Sequence, residues 1–180
     1  MNEPAGVPAR LDGWLIIDKP SGRSSAQIVG RIKRLTGGLK VGHGGTLDPL
    51  ATGVLPIAIG EATKTVAYAM LGTKGYHFTL KWGEARDTDD SEGEIVETSQ
   101  IRPSRHEIDK VLSKFTGEIS QIPPKYSALK VNGQRAYALA RVNKPVTLES
   151  RKIRIDSLLL VDNDEETACF DVICGKGTYI

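Results

Sequence analysis

The chain has 180 residues, of which 39% are hydrophobic and 26% charged, and its formal net charge is +2. This composition is typical of a folded globular domain and argues against a disordered chain. No segment has the run of about 18 apolar residues that a membrane span needs, and the N-terminus lacks an apolar signal core. Since Cys169 and Cys174 have no second pair for a zinc site, we expect reduced thiols in a cytoplasmic protein.

The first predicted elements are a strand and a helix separated by a Pro-Gly turn. Residues 14–18 form a short apolar run before Lys19-Pro20-Ser21-Gly22, which predicts a buried strand. Ser24 or Ser25 is suited to cap the helix that follows, and two glycines, 37 and 38, end it. Its apolar side chains recur at helical spacing: Ile28, Val29, Ile32 and Leu35.

A glycine-rich loop separates this helix from the next predicted strand, at residues 54–59. Pro56 within that strand indicates a sheet edge or a bulge, because proline donates no ladder hydrogen bond. The pattern then predicts a helix over 61–71, a strand over 76–82 and an acidic loop over 84–97.

The remaining elements complete a mixture of helices and strands without regular βαβ alternation. Ser104 and Glu107 form a capping box before an amphipathic helix, and a second helix is predicted over 134–142. Two β-rich runs, 152–161 and 167–174, flank a polar turn and predict a hairpin. The expected fold is therefore α+β, with a mixed, mainly antiparallel sheet flanked by helices. We expect residues 1–12 to form a disordered tail and residues 13–180 to form one domain.

Although the net charge of the chain is small, two of its segments are strongly charged and opposite in sign. Residues 125–154 carry eight basic side chains and one acidic one, whereas residues 84–97 carry seven acidic side chains and one basic one. Such separation is compatible with a polyanion-binding face and equally with two ordinary solvated faces.

Several familiar motifs fail on their spacing. The glycines around His43 do not form a dinucleotide fingerprint, because position 47 is leucine, and no phosphate-binding P-loop is present. The acidic run lacks the glycine and the closing glutamate of a calcium loop. The three histidines lie far apart in the sequence, so neither zinc hydrolysis nor serine-triad chemistry is indicated, and no metal is expected.

One candidate site remains after these exclusions, a carboxylate in a glycine-flanked loop beside a histidine. Asp48 follows His43 in the stretch GHGGTLDPLATG, where glycines allow a ligand to approach the backbone closely. Pro49 favours an extended conformation of Asp48, so that an ionised carboxylate projects from the loop as a nucleophile or base. The same Asp-Pro pair is also an ordinary helix start, and the residues alone leave both interpretations open.

The stretch from Gly42 to Lys64 closely resembles the catalytic signature of the bacterial TruB family, tRNA pseudouridine synthases that act on the T-arm uridine at tRNA position 55. Further matches follow in the family's order from about Gly13 to the last residue. They are Leu15–Ser25, Gly75-Tyr76, Thr88–Asp90, Gln121–Lys130 and Cys174–Ile180.

The resemblance implies the reaction and the site. Asp48 matches the family's essential aspartate, and as nucleophile it would attack either the base or the ribose C1′. Tyr76 and Tyr179 match the family's pocket tyrosines, and His43 matches a residue that contacts the flipped nucleotide or helps to hold the rearranged T loop. Lys19 and Lys64 match positions near the site with a scaffold or phosphate-binding role. The family uses no cofactor and no metal. The basic segments 31–40 and 125–154 would hold the RNA backbone.

In the family the final matching stretch continues into an arginine that pairs with the catalytic aspartate, whereas this sequence ends at Ile180. The prediction is therefore the N-terminal portion of a tRNA pseudouridine synthase, with a non-catalytic tRNA-binding or RNA-folding module as one alternative. A second alternative is the related catalytic subunit of guide-RNA-directed pseudouridylation particles. The expected partner is the T-arm of tRNA, and the expected oligomeric state is a monomer.

Overall fold

The computed structural model describes residues 11–127, 129–131, 133–142 and 144–180, so most of the predicted tail at 1–12 lies outside the described residues. The chain divides into two compact units, one ending at Gly72 and the other spanning Thr73–Ile180. All strand pairings are antiparallel, and short helices accompany the sheets in each unit. The predicted α+β class is therefore confirmed.

The first unit is a three-stranded sheet with one amphipathic helix packed on it. Its elements are β1 (Gly13–Lys19), α1 (Ser25–Leu35), β2 (Val41–His43), β3 (Gly53–Ile59), a 3₁₀ helix (Gly60–Thr65) and α2 (Val66–Leu71), and the strand order is β1-β3-β2. Its core consists of the buried side chains of β3 and the apolar stripe of α1: Leu55, Ile57, Ile59, Ile28, Val29 and Ile32.

Helix α1 begins and ends where its local sequence predicts. The Ser24 side chain accepts the amide of Gln27, and the Gln27 side chain accepts the amide of Ser24, which makes a complete capping box. At the other end Gly37 and Gly38 have φ of 69° and 95°. The Gly38 amide donates to Lys33 O at 2.8 Å and that of Gly37 to Arg34 O, which is a Schellman motif.

Two predictions about this sheet are wrong. Strand β1 is mostly exposed rather than buried, with Ile16 63% exposed, because apolar residues alone do not show what covers a sheet face. Strand β3 is central rather than an edge strand. Pro56 is tolerated because the β2 pairing ends at His43–Ile57. Beyond that pair the Pro56 carbonyl accepts the Gly44 amide at 2.8 Å, and no strand residue of β2 needs an amide donor from position 56.

The second unit is built on a four-stranded sheet of order β4-β11-β10-β7. Its strands are β4 (Lys74–Lys81), β5 (Glu84–Arg86), β6 (Ile95–Thr98), β7 (Gly117–Gln121), β8 (Lys130–Val131), β9 (Gln134–Arg135), β10 (Arg151–Asn163) and β11 (Thr167–Cys174). Its helices are α3 (Arg105–Leu112), a 3₁₀ turn (Ser113–Phe115) and α4 (Ala136–Ala140). Helix α3 buries Ile108 against Leu160, Ala168 and Phe170.

The capping box of Ser104 and Glu107 and the β10–β11 hairpin are both confirmed. The acidic stretch is not simply a loop, since β5 and β6 form a hairpin around its turn. The helix predicted over 134–142 is shorter, because Gln134 and Arg135 pair with β8 instead.

Two glycines of the first unit give opposite predictions for stability. Gly30 lies inside α1, and a Cβ there would meet no atom within 4 Å. Gly30→Ala should therefore raise the free energy of unfolding by about 0.5–1 kcal/mol, the helix-propensity difference.

A Cβ on buried Gly44 would lie 3.1 Å from Ala69 Cβ and 3.5 Å from Pro56 Cβ. Gly44→Ala should therefore lower stability by about 1–3 kcal/mol. Urea denaturation of both variants tests the pair, and equal effects would contradict the packing described.

Candidate active site

Asp48 lies in the loop between β2 and β3, and its side chain is exposed. No helix begins at Asp48, because residues 48–50 lead directly toward β3 after a turn in which the Ala51 amide donates to Asp48 O at 3.1 Å. The helix-start interpretation of Asp48-Pro49 is therefore wrong. The carboxylate stands on an irregular loop, where it is accessible to a ligand.

The segment Lys19–Gly22 holds this loop on the C-terminal side of Asp48. Three donors reach it: the Gly22 amide binds Pro49 O at 2.7 Å, the Lys19 ammonium binds the same oxygen at 3.3 Å, and the Ser21 hydroxyl binds Leu50 O at 3.1 Å. The two residues after Asp48 are therefore fixed by backbone contacts with a segment about 30 residues earlier in the chain.

Ser25 holds the loop on the other side of Asp48. Its hydroxyl donates to Leu47 O at 2.9 Å and accepts the Leu47 amide at 2.9 Å, and the residue is buried at the first position of α1. Neighbours on both sides of Asp48 are thus anchored while its carboxylate faces outward. Such a backbone preorganises one functional group against a rigid helix.

Lys19 is a buried scaffold group. Its side chain is 0% exposed, and the ammonium donates to Pro20 O at 3.0 Å and Arg23 O at 2.7 Å as well as to Pro49 O. Burial lowers the pKa of Lys19, and the negative charge of Asp48 partly opposes this lowering. The two groups are therefore electrostatically coupled, and the cation is used mainly to bind carbonyl groups.

His43 is the last residue of β2 and is half-buried, five residues before Asp48. Its Nδ1 contacts the carbonyl oxygen of Gly45, so Nδ1 carries the proton. In the neutral ring Nε2 is then the acceptor. The local backbone thereby sets which face of the imidazole presents a lone pair to a ligand.

Lys64 lies in the 3₁₀ helix after β3 and is exposed. Its ammonium forms an ion pair with Glu61, and this hydrogen bond raises the pKa of Lys64, with a smaller contribution from Asp12. The described interactions of Lys64 therefore tie it to its own helix, whereas those of Lys19 extend to the Asp48 loop.

Tyr76 and Tyr179 belong to the second unit. Tyr76 lies on β4 opposite Val172 and packs beside the buried cluster of Ile153 and Ile155. Tyr179 follows β11, at the same end of the four-stranded sheet as the start of β4.

The backbone and the ring of Tyr179 are both held in place. The Gln121 side chain donates to Tyr179 O at 2.8 Å and accepts its amide at 3.0 Å. The Arg151 guanidinium lies 5.0 Å from the ring centroid and also donates to Gly177 O. One face of the ring is thus covered by a cation.

Sequence reasoning missed the supporting residues Ser21, Gly22, Ser25, Gln121 and Arg151. Each acts on a backbone group or a ring about 20–60 residues away in the chain, a distance at which no spacing rule operates. The only available signal was that Ser21, Gly22, Ser25 and Gln121 lie in stretches that resemble the family. Arg151 was counted only as part of the basic segment 125–154.

Within the described residues, no three histidine, cysteine or carboxylate side chains are grouped to hold a metal ion. In the same part of the chain, no helix is long and apolar enough to cross a membrane.

Replacing Lys19 tests the buried scaffold. Lys19→Met keeps the length of the side chain but leaves three carbonyl groups without their charged donor, so we expect a loss of about 2 kcal/mol or more in the free energy of unfolding. Lys40→Met, at an exposed lysine of the same unit, should change it by less than about 0.5 kcal/mol. Equal melting temperatures for the Lys19→Met variant and the wild type would contradict the scaffold role.

Two solved structures share the antiparallel α+β architecture of this chain. A chain of an H/ACA RNP bound to a substrate RNA containing 2′-deoxyuridine has a TM-score of 0.64 at 24% identity, covering 93% of this chain and 39% of its own. A chain of a Cbf5-Nop10-Gar1 complex gives 0.63 at 28% identity, covering 93% of this chain and 41% of its own.

The sequence comparisons identify the family. The model of the TruB family pseudouridylate synthase N-terminal domain matches residues 33–180. The tRNA pseudouridine synthase B of Rhodospirillum rubrum is 55% identical over 94% of this chain and 56% of its own length. That of Gluconacetobacter diazotrophicus is 56% identical over 100% of this chain and 58% of its own. The chain belongs to the TruB family, and it spans just over half the length of these relatives.

Proposed function

We propose that the protein containing this chain is a tRNA pseudouridine synthase that isomerises the T-arm uridine, with Asp48 as the nucleophile. The observation that carries the proposal is the geometry of the Asp48 loop. Hydrogen bonds to the backbone of the residues on either side of Asp48 hold the loop, and the Asp48 side chain is exposed. Family membership and relatives that share more than half of the aligned residues support the same assignment.

The proposed reaction requires no net oxidation and no added group. The N1–C1′ bond of the uridine breaks, the base turns within the site, and a C5–C1′ bond forms. The proton on C5 is released to water and N1 takes up a proton, so the product is an isomer of the substrate. An ionised carboxylate can hold the reacting carbon covalently during this exchange, which divides one difficult step into two easier ones. The proposed chemistry uses protein groups alone, without a cofactor or a metal.

Access to the uridine requires that the base leave its stack, at a cost of a few kcal/mol. We assign Tyr76 and Tyr179 to the pocket that receives the base, since one aromatic stack is worth about 1–3 kcal/mol. The Arg151 guanidinium covers one face of the Tyr179 ring and would leave the other for a base. His43 would accept a hydrogen bond from the nucleotide through Nε2.

The two lysines take different roles in this proposal. Lys19 maintains the loop geometry and does not contact the substrate, since its ammonium is enclosed by carbonyl groups. Lys64, exposed beside Glu61, is available to an RNA phosphate. The protein would act as a monomer in the cytoplasm, on folded tRNA.

Sequence identity favours the stand-alone tRNA enzyme over the guide-RNA-directed alternative. Relatives named tRNA pseudouridine synthase B share 53–56% identity with this chain, whereas the structurally similar Cbf5-containing complex shares 28%. The non-catalytic alternative is separated from the enzyme by an assay of turnover.

Asp48→Asn tests the catalytic assignment. The complete gene product is incubated with a T-arm hairpin RNA labelled with tritium on C5 of uridine, and tritium release into water reports formation of the C5–C1′ bond. Asp48→Asn should lower the rate at least roughly 10³-fold, as expected for loss of a nucleophile. Asp109→Asn, at an exposed aspartate of α3, is the matched control and should retain wild-type turnover. Normal turnover by Asp48→Asn would exclude the mechanism, and RNA binding without turnover by the wild type would favour the non-catalytic module.

Arg151→Met tests whether Arg151 positions the Tyr179 ring. The substitution keeps an apolar side chain beside the ring but removes the cation–π contact, which is worth about 0.5–2 kcal/mol. We expect kcat/KM to fall about 2- to 30-fold, with Arg151→Lys recovering part of the loss. Arg102→Met, outside the basic segments, should match the wild type. If Arg151→Lys were as impaired as Arg151→Met while both melted at the wild-type temperature, the positioning role would be wrong.

A further inference from the structure

An open groove runs along the outer side of α1, on the first unit. It is lined by Arg23, Arg31, Arg34 and Gln27 and by small or apolar residues, here called its floor: Pro20, Ala26, Ile28, Gly30 and Leu35. It borders the face of α1 that packs Ile28, Val29 and Ile32 against β3, and Ile28 belongs to both.

The three arginines present unneutralised positive charge. Within the described residues, none of Arg23, Arg31 and Arg34 forms an ion pair or a side-chain hydrogen bond. The sequence contains no aspartate or glutamate from Lys19 to Leu47. Since α1 also has no acidic residue in its first turn, its own sequence provides no counter-charge to the groove.

Helix electrostatics account for only part of this charge. A cation in the last turn stabilises the helix dipole, and Lys33 and Arg34 occupy that turn. Arg31 lies before the last turn, and Arg23 precedes the N-cap, where the dipole disfavours a positive charge. The helix dipole therefore does not account for arginine at these two positions, and their charge is available to an external anion.

The floor of the groove is open to a close approach. Gly30 presents no side chain, a Cβ there would meet no atom within 4 Å, and Leu35 is 66% exposed. An apolar floor between guanidinium groups fits a polymer with alternating sugar and phosphate, because riboses pack on carbon while arginines bind phosphate oxygens.

The groove continues into the segment that supports Asp48. Pro20 and Arg23 line its end, and their carbonyl oxygens accept hydrogen bonds from the Lys19 ammonium that also binds Pro49. The groove and the Asp48 loop therefore belong to the same unit and share the Lys19 segment as their support.

We propose that the groove along α1 binds the sugar–phosphate backbone of the substrate RNA beside the target nucleotide, through Arg23, Arg31 and Arg34. The inference rests on the proposed function, from which the RNA substrate follows. It adds to that function a specific binding surface, in which charge and the open floor at Gly30 both contribute.

The test measures the binding of a T-arm hairpin RNA by the complete gene product over a range of salt concentrations. The double variant Arg31→Gln/Arg34→Gln should bind at least roughly ten-fold more weakly at about 0.1 M salt. The slope of log affinity against log salt should fall by about 1 per lost contact, hence by about 2. Lys110→Gln/Lys114→Gln, at two exposed lysines outside the groove and outside the basic segments, removes the same charge and should leave the slope within experimental error.

A second variant fills the groove without changing charge. Gly30→Gln should weaken RNA binding while its melting temperature stays at or above that of the wild type, because the new side chain projects into the open floor. Equal effects of the Lys110→Gln/Lys114→Gln control and of the double arginine variant, or unchanged affinity in both groove variants, would overturn the inference. If the wild type neither binds this RNA nor releases tritium from it, the proposed function fails instead.

Discussion

The Lys19 ammonium group is removed from water, and in that environment its charge must be met by oriented dipoles. Three backbone carbonyl groups meet it, two from the turn that follows β1 and one from the loop that carries Asp48. Two segments far apart in the chain thereby become one hydrogen-bonded unit. The turn that leads into α1 and the loop on the C-terminal side of Asp48 are both held by this contact.

Local rules predicted the features whose causes are local. The capping box at Ser24, the glycine stop after α1 and the β10–β11 hairpin each arise from neighbouring residues, and the structure contains all of them. The predictions that β1 is buried and that β3 lies at a sheet edge or contains a bulge were wrong for a different reason. Whether a strand is covered or central depends on partners elsewhere in the chain, and an apolar run contains no information about them.

The same division applies to the candidate site. Asp48 was identifiable because its glycines and proline are adjacent to it and because the surrounding stretch resembles a known family. The groups that hold the loop could not be identified in this way. Nothing in the sequence next to Ser21 or Ser25 indicates that their hydroxyl groups bind Leu50 and Leu47. Arg151 was counted only as one charge among eight, although its contact with Tyr179 is specific in geometry.

Ser25 is at once the first residue of α1 and the partner of Leu47 through both its donor and its acceptor. Helix formation and loop placement therefore share one side chain, and neither can relax without disturbing the other. In thermodynamic terms the two are linked equilibria, so a ligand that orders the loop also tightens the helix, by an equal free energy in each direction. Amide hydrogen exchange along α1 would then report occupancy at Asp48, several residues beyond any direct contact.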